Sequence, residues 1–387
     1  MRVSDIQVSG STNTIELSGK VNDFRLWYRF PSSYRVSAGG DAFLAIALLP
    51  AMLAGEALEV DRAFPVSQRL LESVGRLQEI YHCWNPVFRK VAVRAEAGSA
   101  SVGNPGIASF FSGGVDGTFT ALKNADITHL VLINGFDFSL EPPVFAEAVD
   151  RNRAFAASLG KTLLPLETNF IAFNDTYRVS RNLSHGSLLG SVALALAFSR
   201  VYIASSRTYD NLIPWGTHPL TDLLFSSEAT EIVHDGAEAS RSYKTRKIFE
   251  CEAVGRNLRV CWQDMNRNCG RCEKCLRTRM ALRAMGISAP AFEDLHSLDD
   301  LRILRVSDVK EQARFQDNLR LAEARGDRAL ARVLRRAIRR YDRHRLMVDF
   351  DRLLLGGVVK RTFRYFVKPE RLRPGPAPDL NYPVEQA

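Results

Sequence analysis

The stretch Ser109-Phe110-Phe111-Ser112-Gly113-Gly114-Val115-Asp116-Gly117-Thr118 decides the fold of this chain of 387 residues. Its apolar start runs directly into two glycines, and a helical pattern follows from Thr118 to Lys123. Glycine lets the backbone turn sharply and approach an anion closely, and the first turn of a helix carries partial positive charge. The stretch therefore predicts a buried strand, a phosphate-binding turn and a helix, in that order.

Strands and helices alternate around this stretch. Strands are predicted at 108–111, 129–133, 162–166 and 200–204, and helices at 118–123, 143–159 and 186–198. This alternation implies an α/β fold, with a parallel sheet and helices on both of its faces. Ligands of such sheets sit beyond the carboxyl ends of the strands, where the glycine turn is expected to lie.

The N-terminal segment differs from this centre. Residues 15–36 alternate in polarity and predict strands, and helices are predicted at 41–55 and 65–84. Small and turn-forming residues at 98–106 predict a linker.

The C-terminal segment is helical by pattern, with its longest predicted helix at 314–345 and a Pro-rich, disordered end at 371–383. Three parts are therefore predicted: a small α+β section (1–103), an α/β domain (104–290) and a helical basic extension (291–387).

Charge is concentrated in that extension. The chain has a formal net charge of +9, and residues 301–387 hold 21 Lys and Arg against 11 Asp and Glu. Such a segment is either a solvated helical face or a surface for RNA, anionic lipid or another acidic partner. The apolar run 42–55 is too short for a bilayer and contains Pro50, so no transmembrane segment is expected.

Four of the six cysteines lie close together, in the order Cys-x7-Cys-x2-Cys-x2-Cys: Cys261, Cys269, Cys272 and Cys275. Four thiolates satisfy a tetrahedral Zn²⁺ and leave no open position, so the metal would be structural. An iron–sulfur cluster and four free thiols are the alternatives. Cys83 and Cys251 are expected to be buried. The clustering, with no leader peptide recognised, predicts a reducing, cytoplasmic location; an oligomer is left open.

In the glycine turn, Ser112 and Thr118 offer hydroxyls to phosphate, and Asp116 offers a carboxylate to Mg²⁺ or caps the helix. The string resembles the Ser-Gly-Gly-x-Asp-Ser signature of PP-loop ATP pyrophosphatases, with Gly117 where that signature usually has Ser. The cysteine segment 268–275, together with the upstream Cys261, resembles the zinc site of 7-cyano-7-deazaguanine synthases. The resemblance covers roughly 108–285.

This resemblance implies a nucleotide alpha-hydrolase (HUP-like) domain that uses ATP, Mg²⁺ and Zn²⁺. The residues it implies for the nucleotide are Ser112, Gly113, Gly114, Val115, Asp116, Gly117, Thr118, Asn134, Gly135, Asp137, Ser205 and Ser206. Catalytic roles are implied for Ser112 and Asp116, with Lys123 as a further candidate. Further polar and aromatic candidates for a substrate site are Glu167, Asn169, His185, Arg207, Thr208, Tyr209, Asp210, Trp215, His218, Asp222, Ser227, Glu228, His234, Asp235 and Arg241.

The implied function is adenylation of a carboxylate or amide oxygen of a small molecule, with loss of pyrophosphate, followed by nitrogen attack that forms an amide or nitrile. An RNA-modifying PP-loop thiolase is one alternative, although only Cys83 and Cys251 are spare for its chemistry. A non-catalytic nucleotide-binding scaffold, in which Gly117 has cost turnover, is the other.

Overall fold

A computed structural model describes residues 1–98, 103–136, 141–264 and 267–354. The chain forms two compact units. The first unit comprises Met1–Ala239 and Cys251–Arg259, and the second comprises Ser240–Glu250 and Val260–Ala387. The division predicted at residues 103 and 290 stays a prediction.

The first unit is built on one ten-stranded sheet. Its strands are β1 (Arg2–Gly10), β2 (Thr14–Val21), β3 (Phe24–Pro31), β4 (Leu58–Val60), β5 (Val93–Arg94), β6 (Asn104–Phe110), β7 (His129–Asn134), β8 (Thr162–Thr168), β9 (Phe198–Ala204) and β10 (Glu231–Asp235). Its helices are α1 (Asp41–Ala54), α2 (Gln68–Trp84), α3 (Val115–Lys123), α4 (Pro142–Ser158), α5 (Phe170–Tyr177), α6 (Arg181–Leu196) and α8 (Glu252–Asn257).

The strand order is β10-β9-β6-β7-β8-β3-β2-β1-β4-β5. The first five strands pair in parallel, the ladders from β8 through β3 and β2 to β1 are antiparallel, and β1, β4 and β5 are parallel again. The predicted α/β class with a mostly parallel sheet is thereby confirmed. Sequence periodicity missed β1, a strand of nine residues, and the shorter elements β10 and α5 of five and eight residues.

The order of the parallel strands reverses next to β6. From β6 the chain passes to β7 and then β8 on one side, and it returns to β9 and then β10 on the other side. In α/β sheets such a reversal leaves a crevice at the carboxyl ends of the two strands that flank it. The turns after β6 and β9 therefore meet at the position where this fold class places its ligands.

Helices cover both faces of the sheet, as β10 shows. The Asp235 carboxylate accepts a hydrogen bond from Thr120 of α3, whereas the preceding His234 contacts Asp222 of a short 3-10 helix, Asp222–Phe225. Because successive strand residues point to opposite faces, α3 and the 3-10 helix lie on opposite sides of the sheet.

One apolar core joins the N-terminal strands to the parallel part of the sheet. Helix α1 is buried at every position from Asp41 to Met52, as expected for a helix that is apolar on all sides. The Oη of Tyr28 in β3 lies 2.6 Å from Oγ of Ser191 in α6, so a buried polar pair is satisfied inside this core. The predicted parts 1–103 and 104–290 thus share a sheet and a core.

The predicted linker 98–106 is wrong at its C-terminal end, where β6 already begins at Asn104. Asn104 is buried, and its amide donates to the carbonyls of Arg35 and Leu196 while its Oδ1 accepts from the Arg35 N–H. These bonds hold a turn-forming sequence in the sheet. Residues 99–102 of that linker and the Pro-rich end 371–383 lie outside the described residues.

The second unit contains α7 (Arg241–Ile248), α9 (Glu273–Met285), α10 (Val309–Ala324) and α11 (Arg328–Leu354). An apolar cluster packs residues of α9, α10 and α11 together. The single helix predicted at 314–345 is wrong, because the chain breaks at Gly326, whose φ is +77°. Asp327 then accepts a hydrogen bond from the Leu330 N–H and starts α11. Within the described ranges, no helix combines the length and apolar character that crossing a membrane requires.

The packing of the first unit can be tested at Gly186, where two backbone segments lie very close together. A Cβ on Gly186 of α6 would lie 1.6 Å from the carbonyl oxygen of Gly216. We expect Gly186→Ala to lower the free energy of unfolding by about 3 kcal/mol, because backbone cannot yield as a flexible side chain does. Gly75→Ala, in α2 with nothing within 4 Å, is the control and should stabilise by up to about 1 kcal/mol. Urea denaturation, monitored by tryptophan fluorescence, measures the stability of both variants. Equal urea midpoints for Gly186→Ala and Gly75→Ala would contradict this packing.

Candidate functional site

The turn between β6 and α3 contains two adjacent glycines, Gly113 and Gly114. Gly113 has a φ of +75°, a conformation that side chains other than glycine rarely adopt. Gly114 stands at the N-cap of α3, where it has no side chain to accept the first N–H groups of the helix. Those groups and the dipole of a nine-residue helix suit a phosphate.

Contacts within the first unit hold this turn. The Phe111 N–H donates to the Val131 carbonyl at 2.8 Å, which extends the pairing of β6 with β7. The Arg259 N–H donates to the Gly113 carbonyl at 3.0 Å. A Cβ on Gly113 would lie 3.1 Å from Oδ1 of Asn152 in α4, so this position favours glycine for its space as well. The sequence analysis missed Asn152 and Arg259. A polar residue within the apolar stripe of α4 was the available signal for Asn152.

The hydroxyls of the turn differ in exposure. Ser112 is exposed, whereas Thr118 is fully buried, and its Oγ1 has no hydrogen-bond partner within the described part of the chain. Leaving a buried hydroxyl unpaired costs about 1–3 kcal/mol, so such a group in a native structure calls for an explanation. A Cβ on Gly117 would lie 3.3 Å from the Phe110 carbonyl oxygen, so a serine there would be tight.

Asp116 and Lys123 stand at opposite ends of α3. Asp116 lies in the first turn, where the helix dipole stabilises a carboxylate. Lys123 lies in the last turn, and its Nζ is 2.9 Å from Asp235 Oδ1 and 2.6 Å from Glu238 Oε1. Partial burial acts to lower the pKa of Lys123, but the hydrogen bonds to Glu238 and Asp235 outweigh it and raise that pKa. Lys123 is thus a paired cation about 12 Å along the helix from Val115, which does not support its predicted catalytic role.

The carboxyl ends of β7 and β8 bring two predicted residues together. Asn134 Nδ2 donates to Glu167 Oε2 at 3.3 Å, and the two residues are register partners. Gly135 follows with a φ of +91°, and a Cβ on it would lie 1.9 Å from the Thr168 carbonyl oxygen. Asp137 lies outside the described residues.

After β9, the two predicted serines differ. Ser205 is buried and its hydroxyl is used locally, since Oγ donates to the Arg207 carbonyl at 2.7 Å and accepts from the Arg207 N–H. Ser206 is exposed. Ser206 therefore offers a hydroxyl to a ligand, and Ser205 shapes the turn.

Planar side chains form a row beside these turns. The guanidinium carbon of Arg207 lies 5.4 Å from the ring centroid of Trp215. The Trp215 and His185 rings are 5.4 Å apart in an edge-to-face arrangement, and His185 and Phe136 are 6.3 Å apart. These four residues are partly exposed. A planar ligand could stack within such a row.

Several polar candidates proved to be buried structural groups. His234 Nδ1 lies 2.7 Å from Asp222 Oδ2, and Asp222 Oδ1 accepts from the His218 N–H. Burial raises the pKa of Asp222, against the lowering effect of its hydrogen bond with His234. These three residues do not form the substrate loop that their sequence suggests. Glu228, in contrast, is exposed, and its carboxylate accepts a hydrogen bond from the Arg69 N–H at the start of α2.

Other candidates have local roles. Asn169 Oδ1 accepts from the Trp27 N–H, and Ser227 Oγ accepts from the Thr230 N–H. Tyr209 and Asp210 are exposed in a short 3-10 turn that follows Thr208. Arg241 begins α7 in the second unit.

The four clustered cysteines of the second unit converge. Their ligand atoms all lie within 4.8 Å of one another, and the sulfurs of Cys261 and Cys272 are 3.8 Å apart. Tetrahedral Zn²⁺ with Zn–S bonds of about 2.3 Å requires sulfurs about 3.8 Å apart. Cys269, Cys272 and Cys275 come together because Gly270, with a φ of +72°, turns the chain before Cys272 caps α9. The cluster can therefore hold a metal ion such as zinc.

Neighbouring groups orient the sulfurs. The Asp264 N–H points at Cys261 Sγ and the Cys272 N–H at Cys269 Sγ, both at 3.3 Å. Such N–H groups outweigh burial and lower the pKa of Cys261 to about 6, whereas burial raises the pKa of Cys275. Four adjacent sulfurs cannot all ionise without a cation, so the site fits a bound metal.

Arg279 braces the cysteine segment. It donates to the carbonyls of Gly270, Glu293 and Asp294, at 2.7, 2.8 and 2.6 Å. Sequence spacing gave no signal for this residue, because all its partners are carbonyls. The expectation that Cys83 and Cys251 are buried is wrong: Cys83 is exposed and Cys251 is partly exposed.

His218 predicts a pH dependence. The pKa of His218 is lowered from 6.5 to about 4. Burial is the larger cause, and the charge of the neighbouring His234 is the smaller one. Because the unfolded chain takes up this proton first, His218 stabilises the fold above pH 6.5, and that contribution is lost as the pH falls from 6.5 towards 4. His218 Nδ1 accepts from the Leu220 N–H, an acceptor that Asn can replace. We expect His218→Asn to reduce this acid sensitivity by about 2–3 kcal/mol, measured by denaturation across that pH range. An unchanged pH profile would contradict it.

The cysteine cluster predicts metal loss on substitution. Cys275→Ser removes a buried sulfur from the four-ligand set, so the purified protein should lose its bound metal and melt at a lower temperature. Elemental analysis and thermal denaturation measure both effects. Cys83→Ser, outside the cluster, is the matched control and should keep the metal. Full metal content in Cys275→Ser would show that the sulfurs are not the ligands.

Comparison with models of protein families, with curated proteins and with solved structures finds no match to this chain.

Proposed function

We propose that this chain is an ATP-dependent, AMP-forming enzyme that adenylates an oxygen of a small-molecule substrate. In the proposed reaction a carboxylate or amide oxygen of the substrate attacks the α-phosphorus of ATP and expels pyrophosphate. If the oxygen belongs to a carboxylate, a nitrogen nucleophile then displaces AMP and forms an amide. If it belongs to an amide, loss of AMP and of the amide protons leaves a nitrile. The proposed affiliation is the ATP pyrophosphatase (PP-loop) family, and 7-cyano-7-deazaguanine synthases are the members that the cysteine segment resembles.

One observation carries the proposal: a glycine turn leads into a helix at the point where the strand order reverses. Gly113 has a positive φ, and Gly114 leaves the first turn of α3 without an N-cap side chain. The turn lies at the carboxyl end of β6, between β9 and β7. Both features suit a polyphosphate, because N–H groups and the helix dipole favour negative charge there.

The residues present fit Mg-ATP by their chemistry. When bound, Mg-ATP supplies an electrophilic phosphorus and pyrophosphate as the leaving group. Ser112 and the N–H groups from Gly113 to Gly117 would donate to phosphate oxygens and stabilise charge as pyrophosphate leaves. Asp116 would bind Mg²⁺ through its carboxylate. Thr118 lies in the first turn of α3 with a buried, unpaired hydroxyl.

The surrounding turns supply the remaining proposed contacts. Asn134, Gly135 and Ser206 end strands next to β6 and would contact the nucleoside or the substrate. The row of Arg207, Trp215 and His185 would stack on a planar substrate. In the second unit, Zn²⁺ held by four cysteines would be structural, since four protein ligands leave no position for substrate.

Two alternatives are outcomes of the same test. A thiolase would need a reactive cysteine, and the two that lie outside the cluster are Cys83 in α2 and Cys251 at the N-cap of α8. A nucleotide-binding scaffold would bind ATP without turnover. The tight fit at Gly117, where the family usually has serine, is the observation that favours the scaffold.

The test measures ATP binding and AMP formation separately. Titration calorimetry with Mg-ATP should show binding that Gly113→Ala weakens, because alanine strains the positive φ and approaches Asn152. Gly160→Ala has a similar φ of +67° and open space around it, and it should bind as the unaltered protein does. AMP and pyrophosphate released with a metabolite extract should fall about 100-fold in Asp116→Asn.

Asp150→Asn, an exposed acid of α4, controls for lost charge. Binding without turnover in any extract would leave the scaffold, and absence of ATP binding would sink the proposal. Transfer of sulfur to RNA, sensitive to Cys83→Ser or Cys251→Ser, would favour the thiolase.

A further inference from the structure

The outward face of α11 is strongly cationic over its first half. Six arginines and one histidine line one surface groove: Arg332, Arg335, Arg336, Arg339, Arg340, Arg343 and His344. All seven are exposed, and the arginines run about 16 Å along the helix. Arg335 pairs with Glu323, while the other five arginines have no acidic partner within the described residues.

The same face becomes apolar over the last turns of α11. Leu346, Met347, Phe350 and Leu353 have 69%, 72%, 58% and 81% of their surface exposed. At 100° per residue, these positions fall on the side of the helix that carries the arginines. Met347 also lines the arginine groove, which joins the two parts into one surface.

The opposite face of α11 is already used. Leu330, Leu334 and Ile338 are buried in the apolar cluster with α9 and α10. The inner side of α11 therefore packs against the protein, and its outer side is left exposed to solvent. We call residues 332–353 on this outer side the cationic–apolar face.

We propose that the cationic–apolar face docks on an anionic lipid surface. Arginine forks bind lipid phosphates, and each basic residue near such a surface strengthens binding about fivefold. Leucine, methionine and phenylalanine on the same side enter the boundary between headgroups and acyl chains. An anionic bilayer offers phosphates to the arginines and an apolar boundary to the other half of the face, and both lie along the same membrane surface.

Other occupants account for less of this surface. A nucleic acid would use the arginines but leave four large apolar side chains in water. A second copy of the chain would bring like charges together. The remaining residues, 355–387, hold six Lys and Arg against three Asp and Glu, so they cannot neutralise the arginines.

The test is vesicle co-sedimentation of the full chain. The protein should sediment with phosphatidylcholine vesicles that contain phosphatidylglycerol and stay soluble with phosphatidylcholine alone. Replacing Arg336, Arg339, Arg340 and Arg343 by Gln should weaken binding on the order of 10²–10³-fold. The matched control replaces Arg62, Arg76, Arg302 and Arg320 by Gln, which removes the same charge from exposed sites and should have little effect.

The apolar half has its own variant. Leu346→Ser with Phe350→Ser keeps every arginine and should weaken binding about tenfold, most visibly in high salt where charge attraction is screened. Thermal denaturation of each variant checks that α11 is folded.

Three results would overturn the proposal. The first is no sedimentation with anionic vesicles, and the second is unchanged binding by the glutamine variant, which would assign any attraction to other basic residues. The third is tight binding of RNA with no binding of vesicles, which would make the arginines a nucleic-acid surface.

Discussion

Everything at the candidate nucleotide site depends on β6 being hydrogen-bonded on both edges. β7 and β9 pair with it in parallel, and the Phe111 N–H extends the ladder one residue beyond the strand. The chain leaves the sheet beyond Phe111, and Gly113 then adopts a positive φ that glycine takes up more readily than other residues. The glycine turn follows from this position at the end of β6, and so does the start of α3.

Polar pairs, most of them partly exposed, position the surroundings of that turn. Asn134 meets Glu167, and Ser205 closes its own turn after β9. Lys123 is neutralised by Asp235 and Glu238 and so anchors the far end of α3. A polar group that loses water on folding costs free energy unless it gains a hydrogen-bond partner. These pairs therefore favour one arrangement of the side chains around the turn. The unpaired Thr118 hydroxyl is an exception beside the proposed phosphates.

The second unit is stabilised by a cysteine cluster and by an apolar cluster of helices. Four sulfurs lie within 4.8 Å of one another and can hold a metal ion, whose charge would offset that of the thiolates. Arg279 supports the cysteine segment through three carbonyls, and the apolar cluster of α9, α10 and α11 completes the packing. The arginines of α11 are left on the outside because its inner positions, such as Leu334, are already taken.

The sequence by itself determined what depends on near neighbours: the glycine turn, the alternation of strands and helices, and a cysteine cluster whose ligands lie within fifteen residues. Tertiary structure decided what depends on distant partners. It placed β3 beside β8, buried His234 against Asp222, and paired Lys123 with an acid 112 positions away. The break in the predicted helix is local, because Gly326 has a positive φ and Asp327 caps the helix that follows. Strand pairing and the pairing of charges depend on groups that are distant in sequence and come together only in the folded chain. Local sequence periodicity therefore does not predict them.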